Sequence, residues 1–209
     1  MSASTAHRLL AMLVYRDFAE QGSDRRYRAG AALRRVEQSE GPIILLRRVA
    51  LPHLHALVDR VQETANIMLL VRDEVRFVTT VECDQVLRVG DRAGRALPAH
   101  LASGGKAMLA TLTAPELTEL YASRHDIDLP RLRRELSAVR KHGFAINNQQ
   151  TETGLTGLGI ALRDPSSKST AAISLSLPAA RFDRERLPTW INALSATAGR
   201  IEHELATGL

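Results

Sequence analysis

LPAHLASGGKAMLATL, residues Leu97 to Leu112, runs from an extended segment through a small-residue loop into a helix. Leu97-Pro98 is extended, because a residue before proline avoids the helical region, and Ser103-Gly104-Gly105 carries almost no side-chain bulk. Lys106 to Leu112 then reads as an amphipathic helix. A small-residue loop feeding a helix leaves backbone N–H groups uncovered where the helix dipole favours negative charge, so this loop is a candidate receptor for a carboxylate. The competing reading is structural: Ser103 caps the helix and the glycines admit a closely packed neighbour.

Working outward, Ala65 to Val71 and Val75 to Val81 alternate apolar and polar residues about Arg72-Asp73-Glu74, the pattern of a hairpin. After the loop come helices over Lys106 to Thr111, Ala114 to Ser123 with Thr113 as cap, and Pro130 to His142 closed by Gly143. Strands follow over Phe144 to Asn147, Leu155 to Leu162 and Ser169 to Leu177, the last two joined at Asp164-Pro165-Ser166-Ser167. A final helix over Arg184 to Ala206 turns Ile191, Leu194, Ala198, Ile201 and Leu205 inward. This order predicts an α+β domain, an antiparallel sheet with helices packed on it. Ser174 and Ser176, two apart on one strand, put both hydroxyls on one side and Ile173, Leu175 and Leu177 on the other. That polar side is either a ligand surface or the wet face of the sheet.

Upstream, a short basic helix over Ala31 to Glu37 meets a break at Ser39-Glu40-Gly41-Pro42. Ile43 to Glu63 reads as a second helical stretch with a junction at Pro52. At the N-terminus, residues 4 to 14 place Leu9, Leu10, Leu13 and Val14 on one helical face, with Ser4 and Thr5 as caps and His7 and Arg8 opposite. Asp17 to Glu20, the turn residues Gly22-Ser23-Asp24 and the basic run Arg25 to Arg28 form a short hairpin.

Composition sets the bounds. In 209 residues, 44% are hydrophobic but only 4% aromatic, so the core is aliphatic. The length suits one main domain of ~150 residues with an appendage. No apolar run approaches the ~18 residues of a membrane span, and the layout of a signal peptide is missing, so the chain is expected in the cytoplasm with no membrane partner. The single cysteine, Cys83, forms no internal disulfide and lies in no nucleophile motif. His53 and His55, two apart on a helix, point to different faces, so no metal site is expected. Gly104-Gly105-Lys106 is not a phosphate loop, since His100 stands where glycine is required and Ala107 where serine or threonine is. No cofactor is therefore implied. The excess of 28 Lys+Arg over 23 Asp+Glu permits nucleic-acid contact without requiring it. The run Arg131, Arg133, Arg134, Arg140 and Lys141 is interrupted by Glu135 and reads as a solvated helix face.

Several motifs agree on one resemblance. LPAHLASGGKAMLA is similar to the loop and helix of the effector-binding domain of IclR-family transcriptional regulators. Gly143 to Asn147, Gly154 to Ala161 and Ala171 to Pro178 resemble that domain's following strand, loop and strand. Ser4-Thr5-Ala6-His7-Arg8-Leu9-Leu10 resembles the family's DNA-recognition helix, and Arg25-Arg26-Tyr27-Arg28-Ala29-Gly30 the end of its wing. The resemblance implies a GAF-like antiparallel sheet with packed helices over residues 51–209. It also implies a linker helix over 31–50 and a partial winged helix-turn-helix over 1–30. The first two helices of that motif have no counterpart here, so weak operator binding is expected. Asp17 stands where the family commonly has glycine.

The function implied is DNA-binding transcriptional regulation, without catalysis, controlled by a small organic acid and carried by a homodimer or homotetramer. Resemblance assigns effector binding to Leu97, Ser103, Gly104, Asn147, Gly157, Ser174 and Ser176. It assigns DNA contact to Ser4, Thr5, His7, Arg8, Arg25, Arg26 and Arg28. Some members carry an acid and a cysteine where this chain has Asn147 and Gly157. The amide accommodates a second acceptor and the glycine leaves room, so the expected effector is bulkier than a two- or three-carbon oxo-acid, an aromatic acid for example. The alternatives are a sensor module that has lost DNA binding and an enzyme acting on a carboxylic acid in the same pocket.

Overall fold

The computed structural model describes residues 9–10, 12–14, 19–22, 26–29, 31–163 and 169–207. They fall into two compact units, residues 1–46 and 47–209. In the first unit residues 9–10 and 12–14 are helical, with Leu9, Met12, Leu13 and Val14 exposed. The predicted hairpin forms from β1 (Ala19–Gln21) and β2 (Tyr27–Ala29), antiparallel with Glu20 opposite Arg28 and Gln21 opposite Tyr27. Gly22 N donates to Arg26 O at 2.9 Å and closes its turn.

One helix, α1 (Ala31–Val61), replaces the expected pair. Neither Gly41-Pro42 nor Pro52 interrupts it. Proline at 52 removes the bond to the carbonyl of Arg48, but both residues are exposed, so that carbonyl stays open to solvent. The buried stripe Ala50, Leu54, Leu57, Val58 and Val61 continues through the site at helical spacing and anchors the helix in the second unit.

That unit is built on a six-stranded antiparallel sheet of β3 (Thr64–Val71), β4 (Glu74–Val81), β5 (Ala96–Pro98), β6 (Ala145–Asn148), β7 (Leu155–Leu162) and β8 (Ala171–Pro178). The spatial order is β5-β4-β3-β8-β7-β6. The chain ends up at the centre as β8, between the hairpin partner β3 and β7. A β-bulge between Ile67 and Met68 shifts the register of β4: Ile67 pairs with Thr79, but Met68 with Phe77.

On one face lie α2 (Ser103–Leu109), α3 (Ala114–Leu120) and α4 (Leu129–His142), around a core that includes Met68, Phe77, Met108, Leu109, Leu117, Leu136 and Ala172. Thr113 caps α3 in a full capping box with Glu116, and Gly143 closes α4 at φ +80°. The opposite face, which carries Ile67, Ile160, Ile173 and Leu175, is covered by α5 (Leu187–Thr207). Leu194, Ala198 and Ile201 face inward on α5 as expected, whereas Ile191 and Leu205 are only half-buried. Trp190, stacked on Phe182 with ring centroids 6.0 Å apart, is the largest fully buried side chain there. No helix among the described residues is long and apolar enough to cross a membrane.

Candidate functional site

The stretch Leu97 to Leu112 departs from its sequence reading at the start, the cap and the end of its helix, which stops at Leu109. The helix begins at Ser103 rather than Lys106, so Ser103-Gly104-Gly105 forms its first turn instead of a loop before it. Nor is Ser103 the cap: that position is Ala102, which has no capping side chain, and its carbonyl accepts from Lys106 N at 2.9 Å. The glycines are what seat the helix. A Cβ on Gly104 would stand 2.3 Å from Met68 Sδ, and one on Gly105 2.2 Å from Ala99 O. One on Gly159 of β7 would stand 2.5 Å from Gly104 N. Backbone therefore packs on backbone, closer than any side chain permits.

Lys106 completes the seating from within. Only 1% exposed, its Nζ donates to Glu135 Oε1 at 2.5 Å, Gln150 Oε1 at 2.5 Å and Ile146 O at 3.2 Å. All three ammonium donors are thus used, which is the condition for burying such a charge. One lysine clasps α2 to α4 and to the end of β6.

Beneath the start of α2 the sheet is polar. Register places Asn147, Gly157, Ser176 and Thr64 in one row across β6, β7, β8 and β3. Gly159, Ser174, Asn66 and Thr80 form the row beside it. The serine pair does face one side, and Ile173, Leu175 and Leu177 the other. Ser174 and Ser176 are 1% and 6% exposed, so this is not a wet face. Asn66, absent from the sequence assignment, joins the two: its amide donates to Ser176 Oγ at 3.1 Å and Ser174 Oγ at 3.4 Å. Its carbonyl oxygen accepts from Thr80 Oγ1 at 3.0 Å. An amide at an inward position of an otherwise apolar strand was the signal that could have found it.

Of the expected effector residues, the structure brings Ser103, Gly104, Asn147, Gly157, Ser174 and Ser176 onto this face. Leu97 is elsewhere. It lies on edge strand β5 opposite Val75, which in turn pairs with Leu70, four residues along β3 from Asn66, and it joins the apolar cluster. Neither the room at Gly157 nor the free amide at Asn147 expected for a bulky effector is present. Space beside Gly157 is taken by Ser103, whose Oγ would lie 2.9 Å from a Cβ built there. The Asn147 amide is engaged by its own loop, accepting from Gln150 N at 2.8 Å and donating to Thr151 Oγ1 at 2.6 Å. Of the DNA-contact candidates, Ser4, Thr5, His7, Arg8 and Arg25 lie outside the described residues, while Arg26 and Arg28 are exposed on the hairpin.

Residues 82–95, between β4 and β5, fold back against the polar rows. Thr64 Oγ1 donates to Val89 O at 2.7 Å, Arg92 N donates to Thr80 Oγ1 at 3.1 Å, and Gly94 N donates to Phe77 O at 2.9 Å. The Arg92 guanidinium lies 5.8 Å from the Phe77 ring centroid and reaches Glu152 in the β6–β7 loop through two bonds, of 2.8 and 2.6 Å. That forked contact holds the Glu152 carboxyl below its ordinary range. Between the two loops runs a groove of about 330 Å³ whose lining includes Arg88, Asp91, Arg92, Arg95, Glu152, Leu155 and Pro178, three guanidinium groups against two carboxylates. A larger hollow of about 480 Å³, beside α1, is lined by Asp59, Glu82, Asp84 and Asp91 and is ill-suited to an acid.

The chain matches the family model described as bacterial transcriptional regulator IclR, C-terminal, over residues 44–203. It is 29% identical over 192 residues to the HTH-type transcriptional repressor AllR of Salmonella typhimurium, covering 88% of this chain and 71% of that one. It is 28% identical over 195 residues to the transcriptional repressor IclR of Escherichia coli, with the same 88% and 71% coverage. The fold is similar to the crystal structure of an IclR homologue from Microbacterium hydrocarbonoxydans complexed with 4-hydroxybenzoate. There the TM-score is 0.72 at 26% identity, over 99% of this chain and 87% of that chain.

Proposed function

The chain belongs to the IclR family of bacterial transcriptional regulators, and from that premise we propose that it binds operator DNA under the control of a small organic acid held on the polar face beneath α2. It is a regulator rather than an enzyme, as its repressor relatives are. In this reading residues 1–30 hold the recognition helix and wing, 31–50 the linker helix and 51–209 the effector-binding domain. The protein acts as a homodimer or homotetramer on DNA.

The observation that carries the effector site is the linked quartet of buried Ser174, Ser176 and Asn66 with half-buried Thr80, walled by Ser103 and Gly104. Polar side chains inside a sheet cost stability unless a partner satisfies them, and here they satisfy one another. An organic acid offers the same bonds with a charge added: the serine hydroxyls donate to its carboxylate, each bond contributing ~1 kcal/mol and more to a charged acceptor. Asn147 and Gly157 border the site. A relative complexed with 4-hydroxybenzoate supports an acid of this kind. Thermal-shift screening of carboxylic acids against the wild-type chain and Ser174→Ala/Ser176→Ala tests the reading: a stabilising acid is expected to lose its effect in the double variant. An acid that stabilises both proteins equally would place the site elsewhere.

A further inference from the structure

The groove between residues 82–95 and the β6–β7 loop ends two residues along the strands from Ser176. Leu155 and Pro178 on its floor are paired neighbours on β7 and β8. Two residues on along those strands stand Gly157 and Ser176, also paired and on the same face. The separation along the strand is about 7 Å. A ligand reaching from the groove to the serines passes Gly157, where Ser103 lies, so the serine side chain must turn aside to admit it.

Arg92 is the group that meets that second end. Its side chain is 6% exposed while its partner Glu152 is 40% exposed, so the cation is the fixed, inner member of the pair and the carboxylate the outer, movable one. Both terminal nitrogens are taken by Glu152, but the buried Nε has no hydrogen-bond partner. A guanidinium offers five donors in a planar fork, and an unfilled one inside a protein is an open site for an acceptor. Phe77 lies beside it as an apolar surface, and exposed Arg95 flanks the groove.

We propose that the effector is a dicarboxylic acid spanning from the serine pair to Arg92, where its second carboxylate takes the guanidinium from Glu152. Glu152 is then a built-in surrogate for the ligand. Its displacement unties residues 82–95 from the β6–β7 loop, which gives the bound and free protein different loop restraints. This inference rests on the effector reading above.

The test uses α,ω-dicarboxylates from succinate to suberate and their straight-chain monoacids, titrated by calorimetry into the full 209-residue chain. A diacid of six carbons or more is expected to bind wild type about tenfold or more tightly than the monoacid of equal length, the scale of one added charge-assisted fork. Arg92→Met should abolish that preference and Arg92→Lys keep part of it. Glu152→Gln, which retains an acceptor but removes the competing charge, should tighten the diacid and leave the monoacid unchanged. Melting curves confirm that each variant is folded. Equal affinity for mono- and diacid, a preference that survives Arg92→Met, or no binding by any diacid overturns the proposal. Ser174→Ala/Ser176→Ala separates the two readings. If it weakens a monoacid that Arg92→Met leaves untouched, the effector site stands and the dicarboxylate does not. If it weakens neither acid, both fail.

Discussion

Gly159 lies directly beneath Ser103: a Cβ built on the glycine would stand 2.5 Å from the serine's carbonyl carbon. Because the obstacle is backbone on both sides, no rotamer change relieves it. Gly159→Ala should therefore lift the start of α2 off the sheet and cost about 1–3 kcal/mol, the range of overpacking in a filled core. Urea denaturation compared with Gly199→Ala is the check, since nothing lies within 4 Å of a Cβ on Gly199. A Gly159 variant no less stable than the Gly199 one would show that the contact is slack.

Lys106 and Glu135 should respond unequally to removal. Lys106→Met leaves the carbonyl of Ile146 without its donor while the outer groups Glu135 and Gln150 rehydrate, and a stranded acceptor typically costs about 1–3 kcal/mol. Glu135 is 38% exposed, so Glu135→Gln leaves a hydrogen bond and a hydrated environment and should cost about 1 kcal/mol. Equal losses in denaturant titrations would mean that the lysine is held by that carboxylate alone.

The polar rows show how much of the site was legible. Ser174 and Ser176 could be placed on one side of β8 from strand alternation alone, because period two leaves no choice once the strand is recognised. Their relation to Ser103 and Gly104 came from family resemblance; spacing does not reveal it across roughly seventy residues of chain. Asn66 left a trace as an amide on an apolar strand, but Thr80, Arg92 and Glu152 were not legible, since register between β3, β4 and β8 and the return of residues 82–95 are long-range facts. Pro52 misled in the other direction: its helix-breaking tendency is real, yet a buried stripe over Ala50, Leu54, Leu57 and Val61 outweighs one lost bond on the solvent side.

His100 makes stability depend on mild acid. Burial, then the neighbouring Arg124 cation, lowers its pKa from the ordinary histidine value, and its ring meets Tyr121 edge-on at 6.0 Å. The unfolded chain therefore binds a proton that the folded one refuses. Stability is full above the unfolded pKa of about 6.5 and declines as pH falls from there through the folded value. His100→Gln should flatten the melting temperature between pH 7 and 5. A wild-type profile already flat over that interval would mean that the ring titrates freely.

Arg8 and Arg28 are expected to fail differently on DNA. In the proposed reading Arg8 belongs to the recognition helix, so in a protein carrying a complete winged helix-turn-helix Arg8→Ala should lower affinity for operator far more than for random duplex. Arg28, exposed on β2, should act through phosphates: its loss weakens all binding and reduces the slope of log K against log salt by about one. Binding measured over a salt series on both duplexes distinguishes them, and equal losses for Arg8→Ala on the two would remove it from base readout.

The bulge between Ile67 and Met68 changes the parity of β4. Before it, odd-numbered Val75 and Phe77 belong to the α2 side and join the apolar core; beyond it, even-numbered Thr80 reaches the same side and meets Asn66. One strand thereby supplies hydrocarbon to one end of a surface and a hydroxyl to the other, although its alternation would otherwise assign Thr79 to that place. Val78 is the extra residue, so its deletion would make β4 regular, with Phe77, Thr79 and Thr80 meeting Met68, Ile67 and Asn66 as consecutive pairs: every side chain would keep its side and only the local bend would be lost.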